Sequence, residues 1–138
     1  MRFRIVADYD GESKLDEVLD SFPGAVFEEF FAAKYYNDSG IGIGVVLMCR
    51  HPSLKFKQRI RFYRKENCLY IDIMLDFDQI KQADSTARKK IVAEKLVTEI
   101  PQIIAKYKFK DFDLTRFASD LRGWFEQQGW IDNESVDN

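Results

Sequence analysis

Hydrophobic and polar positions alternate most clearly between residues 41 and 76. From Leu54 to Tyr63 the odd positions Lys55, Lys57, Arg59 and Arg61 are basic, while Phe56, Ile60 and Phe62 alternate with them. From Leu69 to Asp76 the odd positions Leu69, Ile71, Ile73 and Leu75 are apolar, and Tyr70, Asp72, Met74 and Asp76 take the even ones. Successive side chains of a strand point to opposite faces, so both runs predict half-buried strands of an antiparallel sheet with a charged outer surface. Pro52-Ser53 turns the chain before the first run and Lys65-Glu66-Asn67 joins the two as a tight hairpin, giving strands over 54–64 and 68–76. Upstream, Ile41, Ile43, Val45, Leu47 and Cys49 alternate with Gly42, Gly44, Val46 and Met48. That strand is expected to be covered on both faces for part of its length.

Residues 2–7 predict a first strand, with Phe3 and Ile5 opposite Arg2, Arg4 and Val6. Ser13 and Asp16 resemble a capping box, and Leu15, Val18, Leu19 and Phe22 keep helical spacing until Pro23-Gly24. Residues 25–36 fit two patterns. Phe27, Phe30, Phe31 and Tyr35 make a helical face; alternatively a strand begins near Phe31 and Asn37-Asp38-Ser39-Gly40 turns it into the next. The balance tips to the strand for the C-terminal half. Asp84 or Ser85 caps a long helix with a buried stripe of Ile91, Val92, Leu96, Ile100, Ile103, Ile104 and Tyr107, which Pro101 should kink or split. Asp113 caps a last helix whose Leu114, Phe117, Leu121, Trp124 and Phe125 face inward, and Gly129 ends it. The fold class is α+β: an antiparallel sheet of four to five strands, packed on one face by helices that come mostly after it.

With 138 residues the chain predicts one globular domain over 1–130, and 131–138 as a disordered tail. Its 12 phenylalanines predict a core rich in rings. The net charge of −2 conceals separated blocks: residues 41–65 carry 7 basic and no acidic side chains, whereas residues 1–40 carry 4 basic and 9 acidic ones. Cys49 and Cys68 read as two buried free thiols of a reducing cytoplasm, although neighbouring strands could bring them together. No apolar run has the length of a signal peptide or of a membrane span, so the chain is expected in the cytoplasm.

Candidate chemistry is sparse. His51 is the only histidine, which excludes metal ligation by a histidine pair, and its place before Pro52 is that of a turn residue. Gly40-Ile41-Gly42-Ile43-Gly44 lacks the third glycine of a dinucleotide fingerprint; alternate glycines in a strand instead admit a large ring from a neighbour. Asp72, Asp76 and Asp78 could form a metal or general-acid cluster. Asp72 and Asp76, however, would sit about 13 Å apart along one strand face, and cross-strand pairing with Arg59, Arg61 or Tyr63 is the favoured reading. No metal and no cofactor is expected. The basic ladder 55–65, with Tyr63 and Tyr70 for stacking, is the alternative: a nucleic-acid-binding module. A sequence pI near 5.5 and carboxylates on the adjoining strand argue against it.

Three stretches carry a resemblance: the opening MRFRIVADYDGE, the central LKFKQRIRFYRKENCLYIDIMLDF and the closing LTRFASDLRGWFEQQGW. Together they resemble the small immunity proteins of bacterial polymorphic and contact-dependent growth inhibition toxin systems. The resemblance implies a non-enzymatic cytoplasmic protein that binds one cognate toxin domain, often a nuclease, and blocks its active site or substrate access. A nuclease site must be basic to hold phosphates, so an acidic surface would compete for it. On that reading the partner-binding residues are Tyr70, Asp72, Asp76 and Asp78, with Asp8, Asp10 and Glu12 as a second patch.

Overall fold

The helices between the first two strands decide how the sheet is strung. A computed structural model describes residues 1–9, 11–36 and 40–132. Strand β1 (Phe3–Tyr9) leads through a 3-10 turn at Gly11–Ser13 into helices α1 (Leu15–Asp20) and α2 (Gly24–Ala32), and then into β2 (Gly42–Cys49). A crossover of this kind returns the chain to the end of the sheet from which it started, so β2 runs parallel to β1, with Phe3 facing Ile43 and Tyr9 facing Cys49. Two further strands follow, β3 (Ile60–Tyr63) and β4 (Cys68–Met74), and then α3 (Phe77–Gln82), α4 (Ser85–Tyr107) and α5 (Leu114–Gln127). The tight turn after β3 makes it antiparallel to β4, and β4 inserts between β3 and β2, parallel to β2.

The sheet is therefore mixed, with order β1-β2-β4-β3, and not antiparallel throughout as the alternation suggested. Alternation reports which face is buried and is silent on strand direction. The strand expected over 54–64 shortens to Ile60–Tyr63, because residues 55–59 have no regular structure and residues 51–59 are exposed. The strand expected over 68–76 stops at Met74, where Asp76 begins a helix. The strand favoured in the second half of 25–36 is the helix α2, which runs to Ala32 and buries Phe27 and Phe31. Pro23-Gly24 both stops α1 and opens α2. Lys14 at φ 63° precedes α1 instead of a serine cap, and the Ser13 hydroxyl accepts from Leu15 N–H at 3.3 Å. Pro101 does not split α4, which is continuous from Ser85 to Tyr107. The turn expected at 37–39 lies outside the described residues, as do positions 133–138 of the expected tail; Trp130 and Ile131 are buried in the core.

Inner alternates of the strands meet the helices in one core. Phe3, Ile43, Val45, Leu47, Leu69, Ile71 and Ile73 pack with α2, α4 and α5. Its centre is aromatic: Phe3 lies 5.0 Å from Phe27, 4.9 Å from Phe31 and 5.5 Å from Phe117 between ring centroids. Such tilted and edge contacts add roughly 0.5–1.5 kcal/mol each beyond area burial. Asp84 and Asp113 cap α4 and α5, accepting from Ala87 N–H at 2.8 Å and Arg116 N–H at 3.1 Å. Gly129, at φ +75°, closes α5, and Trp130 N–H donates back to the Phe125 carbonyl at 3.0 Å. Arg88 is buried at the head of α4 and ties three elements together. It donates to the Ile80 carbonyl at 2.7 Å, to the Lys81 carbonyl at 3.1 Å and to Glu17 at 2.5 Å. Cys49 and Cys68 are both buried and form no disulfide with each other. Cys68 faces Gly42, seven positions before Cys49, a separation of about 23 Å that no disulfide spans.

Candidate functional site

The outer alternates of the strands form rows across the opposite face of the sheet. Register places Arg4, Gly44, Tyr70 and Arg61 in one row, Val6, Val46 and Asp72 in the next, and Asp8, Met48 and Met74 in the third. Val6, Val46, Met48 and Met74 take no part in the core cluster. This face holds Asp8, Tyr70 and Asp72 of the expected partner-binding residues, and two hollows open on it.

Tyr70 lies across Gly44. A Cβ at position 44 would stand 2.9 Å from two atoms of its ring, so the alternate glycines do admit a large ring. Gly42 makes the same room for the Arg2 guanidinium, whose Nε would meet a Cβ at 3.1 Å. The Tyr70 hydroxyl donates to Glu66 at 3.0 Å, and that carboxylate raises its pKa above the ordinary tyrosine value. The Tyr63 ring stands edge-on to Tyr70 at 5.3 Å. Arg2, Arg4, Gly44, Glu66 and Tyr70 surround a hollow of about 370 Å³.

Asp72 is only 3% exposed. Its carboxylate accepts from the Arg61 guanidinium at 2.7 Å and from the Arg59 backbone N–H at 3.3 Å, with the Arg59 guanidinium 4.0 Å away. The favoured cross-strand pairing with Arg59 and Arg61 is thus what the fold builds, while Tyr63 pairs with Tyr70. Asp72 positions two arginines and offers little carboxylate of its own to a partner.

Asp76 has left the strand. It caps α3, accepting from Gln79 N–H at 2.9 Å, and Asp78 is exposed in the first turn of that helix. Both border a groove of about 470 Å³ at the carboxyl ends of β2 and β4, whose lining includes Met48, Met74, Phe77, Leu54, Phe56 and Arg50. Asp8 reaches the same end of the sheet through Arg50, whose Nε donates to it at 2.9 Å. Glu12 is exposed in the 3-10 turn after β1, and Asp10 lies outside the described residues. The two acidic patches expected from the sequence therefore converge in part, with Asp8, Asp76 and Asp78 at one end of the sheet. Alternation missed the groove itself. Its signal was Leu54 and Phe56 set among charges just after a turn. His51 is a turn residue: its Nδ1 accepts from Ser53 N–H at 3.1 Å, and its ring stands edge-on to Phe77. Among the described residues no three His, Cys, Asp or Glu side chains are grouped to hold a metal ion.

A family model described as immunity protein 44 matches residues 1–127. The chain belongs to that family. It is an immunity protein of a toxin system, in line with the resemblance carried by its opening, central and closing stretches. No match was found among curated proteins or among solved structures. Among the described residues no helix of this immunity protein is long and apolar enough to cross a membrane.

Proposed function

We propose that this immunity protein neutralises a cognate toxin domain by binding it through the outer face of the sheet. The observation that carries the reading is that face itself. It lies outside the core, presents Tyr63, Tyr70, Val6 and Met74 among arginines and carboxylates, and opens into two hollows. Aromatic rings, methionine and arginine are the side chains that dominate protein interfaces, and methionine adapts to the partner's shape. The acidic end, with Asp76 and Asp78 beside the groove and Asp8 at the same end of the sheet, suits the basic substrate site of a nuclease, so blockage of that site is the mechanism we favour. Asp72 and Tyr70 contribute by holding the arginines and the ring in place. Neither Asp72 nor Asp76 is arranged for proton transfer: one is tied to two arginines and the other caps a helix. The action we assign is binding in the cytoplasm, within a contact-dependent growth inhibition or related system.

Co-expression with a cognate toxin domain tests this reading. Protection of the cells and co-purification of the pair support it; toxicity with soluble, folded immunity protein overturns it. The exposed cations of 55–65 favour a second reading, nucleic-acid binding, which predicts oligonucleotide affinity falling steeply with salt.

A further inference from the structure

The segment Leu54–Tyr63 combines exposed hydrophobic side chains with interleaved cations. Four of the exposed large hydrophobic side chains fall within these ten positions: Leu54 at 48%, Phe56 at 38%, Phe62 at 42% and Tyr63 at 46%. The cations Lys55, Lys57, Arg59 and Arg61 interleave with them, and Arg64 and Lys65 follow in the hairpin turn. Among the described residues, Arg59 and Arg61 are the two of these six cations that pair with a carboxylate, and both go to Asp72. The β3 margin of the sheet is thus strongly positive on a chain whose net charge is −2. Edge strands use charge to repel unwanted strand pairing, which accounts for one or two lysines here. It does not account for a leucine, two phenylalanines and a tyrosine left in water beside them.

We propose that this margin is a recognition surface for an acidic patch of the toxin, one whose carboxylates surround apolar side chains. The proposal rests on the toxin-binding reading and deepens it, by naming the chemistry the partner must present. Buried Asp72 holds Arg61 in place, and Arg59 beside it, so the rotamer entropy of binding a second carboxylate is partly spent in the free protein. Leu54 and Phe56 also line the groove bordered by Asp76 and Asp78, so the basic margin and the acidic end are continuous. The whole interface is then bipolar, and it fits a toxin whose basic cleft is rimmed by acid. A phosphate backbone would use the cations and have no use for Leu54, which cannot stack on a base.

The test is affinity for the purified cognate toxin domain, the one against which co-expression protects. The variants are the triple Lys55→Glu/Lys57→Glu/Arg64→Glu, the double Leu54→Ser/Phe56→Ser, and Glu94→Lys on the exposed side of α4. None of the three cations in the triple holds Asp72, so its fold stays intact; circular dichroism checks this. The triple is expected to lose about 100-fold, mainly in association rate and more at low salt than at high. The double should lose at least tenfold, and Glu94→Lys should lose nothing. Wild-type binding that the triple leaves unchanged overturns this proposal and spares the toxin-binding reading, whereas no wild-type binding overturns both. A single-stranded 20-nucleotide DNA is the third probe. If the triple abolishes its binding while toxin affinity is untouched, the margin serves nucleic acid and the proposal fails.

Discussion

Replacing Gly44 by alanine tests the packing that organises the outer face. The residue has an ordinary backbone conformation, so alanine is acceptable to the chain itself and would relieve about 0.5–1 kcal/mol of glycine's entropic penalty in a strand. The added Cβ, however, would stand 2.9 Å from two carbons of the Tyr70 ring, well inside the roughly 3.5–4.0 Å of a favourable carbon contact. Overpacking of this kind costs about 1–3 kcal/mol. The net expectation for Gly44→Ala is a loss of about 1–2 kcal/mol, measured by urea denaturation. The decisive comparison is the same substitution in a Tyr70→Ala background, where nothing opposes the methyl group. There Gly44→Ala should be neutral or stabilising, so the sign of its effect reverses. Equal destabilisation in both backgrounds would refute the claim that the glycine exists to seat this ring.

Arg88→Leu should be the costlier change, at about 3 kcal/mol in thermal or urea unfolding. It removes three hydrogen bonds and leaves the carbonyl of buried Ile80 without its donor. Glu17→Gln should cost far less, because Glu17 is half exposed and the two carbonyl contacts survive. Tyr36 predicts an alkaline limit. Burial, and then its 2.6 Å hydrogen bond to Asp120, hold its pKa well above the usual tyrosine range. The folded state therefore keeps a proton that the unfolded state releases above about pH 10, and stability falls as pH rises past that point. Tyr36→Phe should remove that part of the slope between pH 9 and 11, at the expense of stability near neutrality.

Much of the fold was written in local pattern. The caps at Asp84 and Asp113, the inner alternates of β2 and β4 and most of the inward stripes of α4 and α5 follow from spacing and hydrogen-bonding chemistry that act within a few residues; Tyr107, expected in the buried stripe of α4, is exposed in its last turn. Strand direction does not. The helical spacing of Leu15, Val18, Leu19 and Phe22 between two strands was the one available sign of a parallel crossover. The strand assigned to residues 54–59 failed for a related reason: alternating cations and rings satisfy period two, but β3 is an edge strand that pairs on one side with β4, and the backbone pairing ends near Arg59, whose carbonyl accepts from Asp72 N–H at 3.0 Å. The candidate site was legible in pieces. Pairing of Asp72 with Arg59 and Arg61 followed from cross-strand chemistry, and the ring over Gly44 from the alternate glycines. The groove was not legible, because Met48 and Met74 meet Leu54, Phe56 and Phe77 only after β4 inserts between β2 and β3.

Backbone amide hydrogen exchange of the immunity protein, alone and saturated with its cognate toxin domain, tests the central claim most directly. Binding through the outer face should slow exchange in residues 54–63 and 68–78 and leave the exposed sides of α4 and α5 unchanged. Protection concentrated on α4 and α5, with none along β3 and β4, would contradict it.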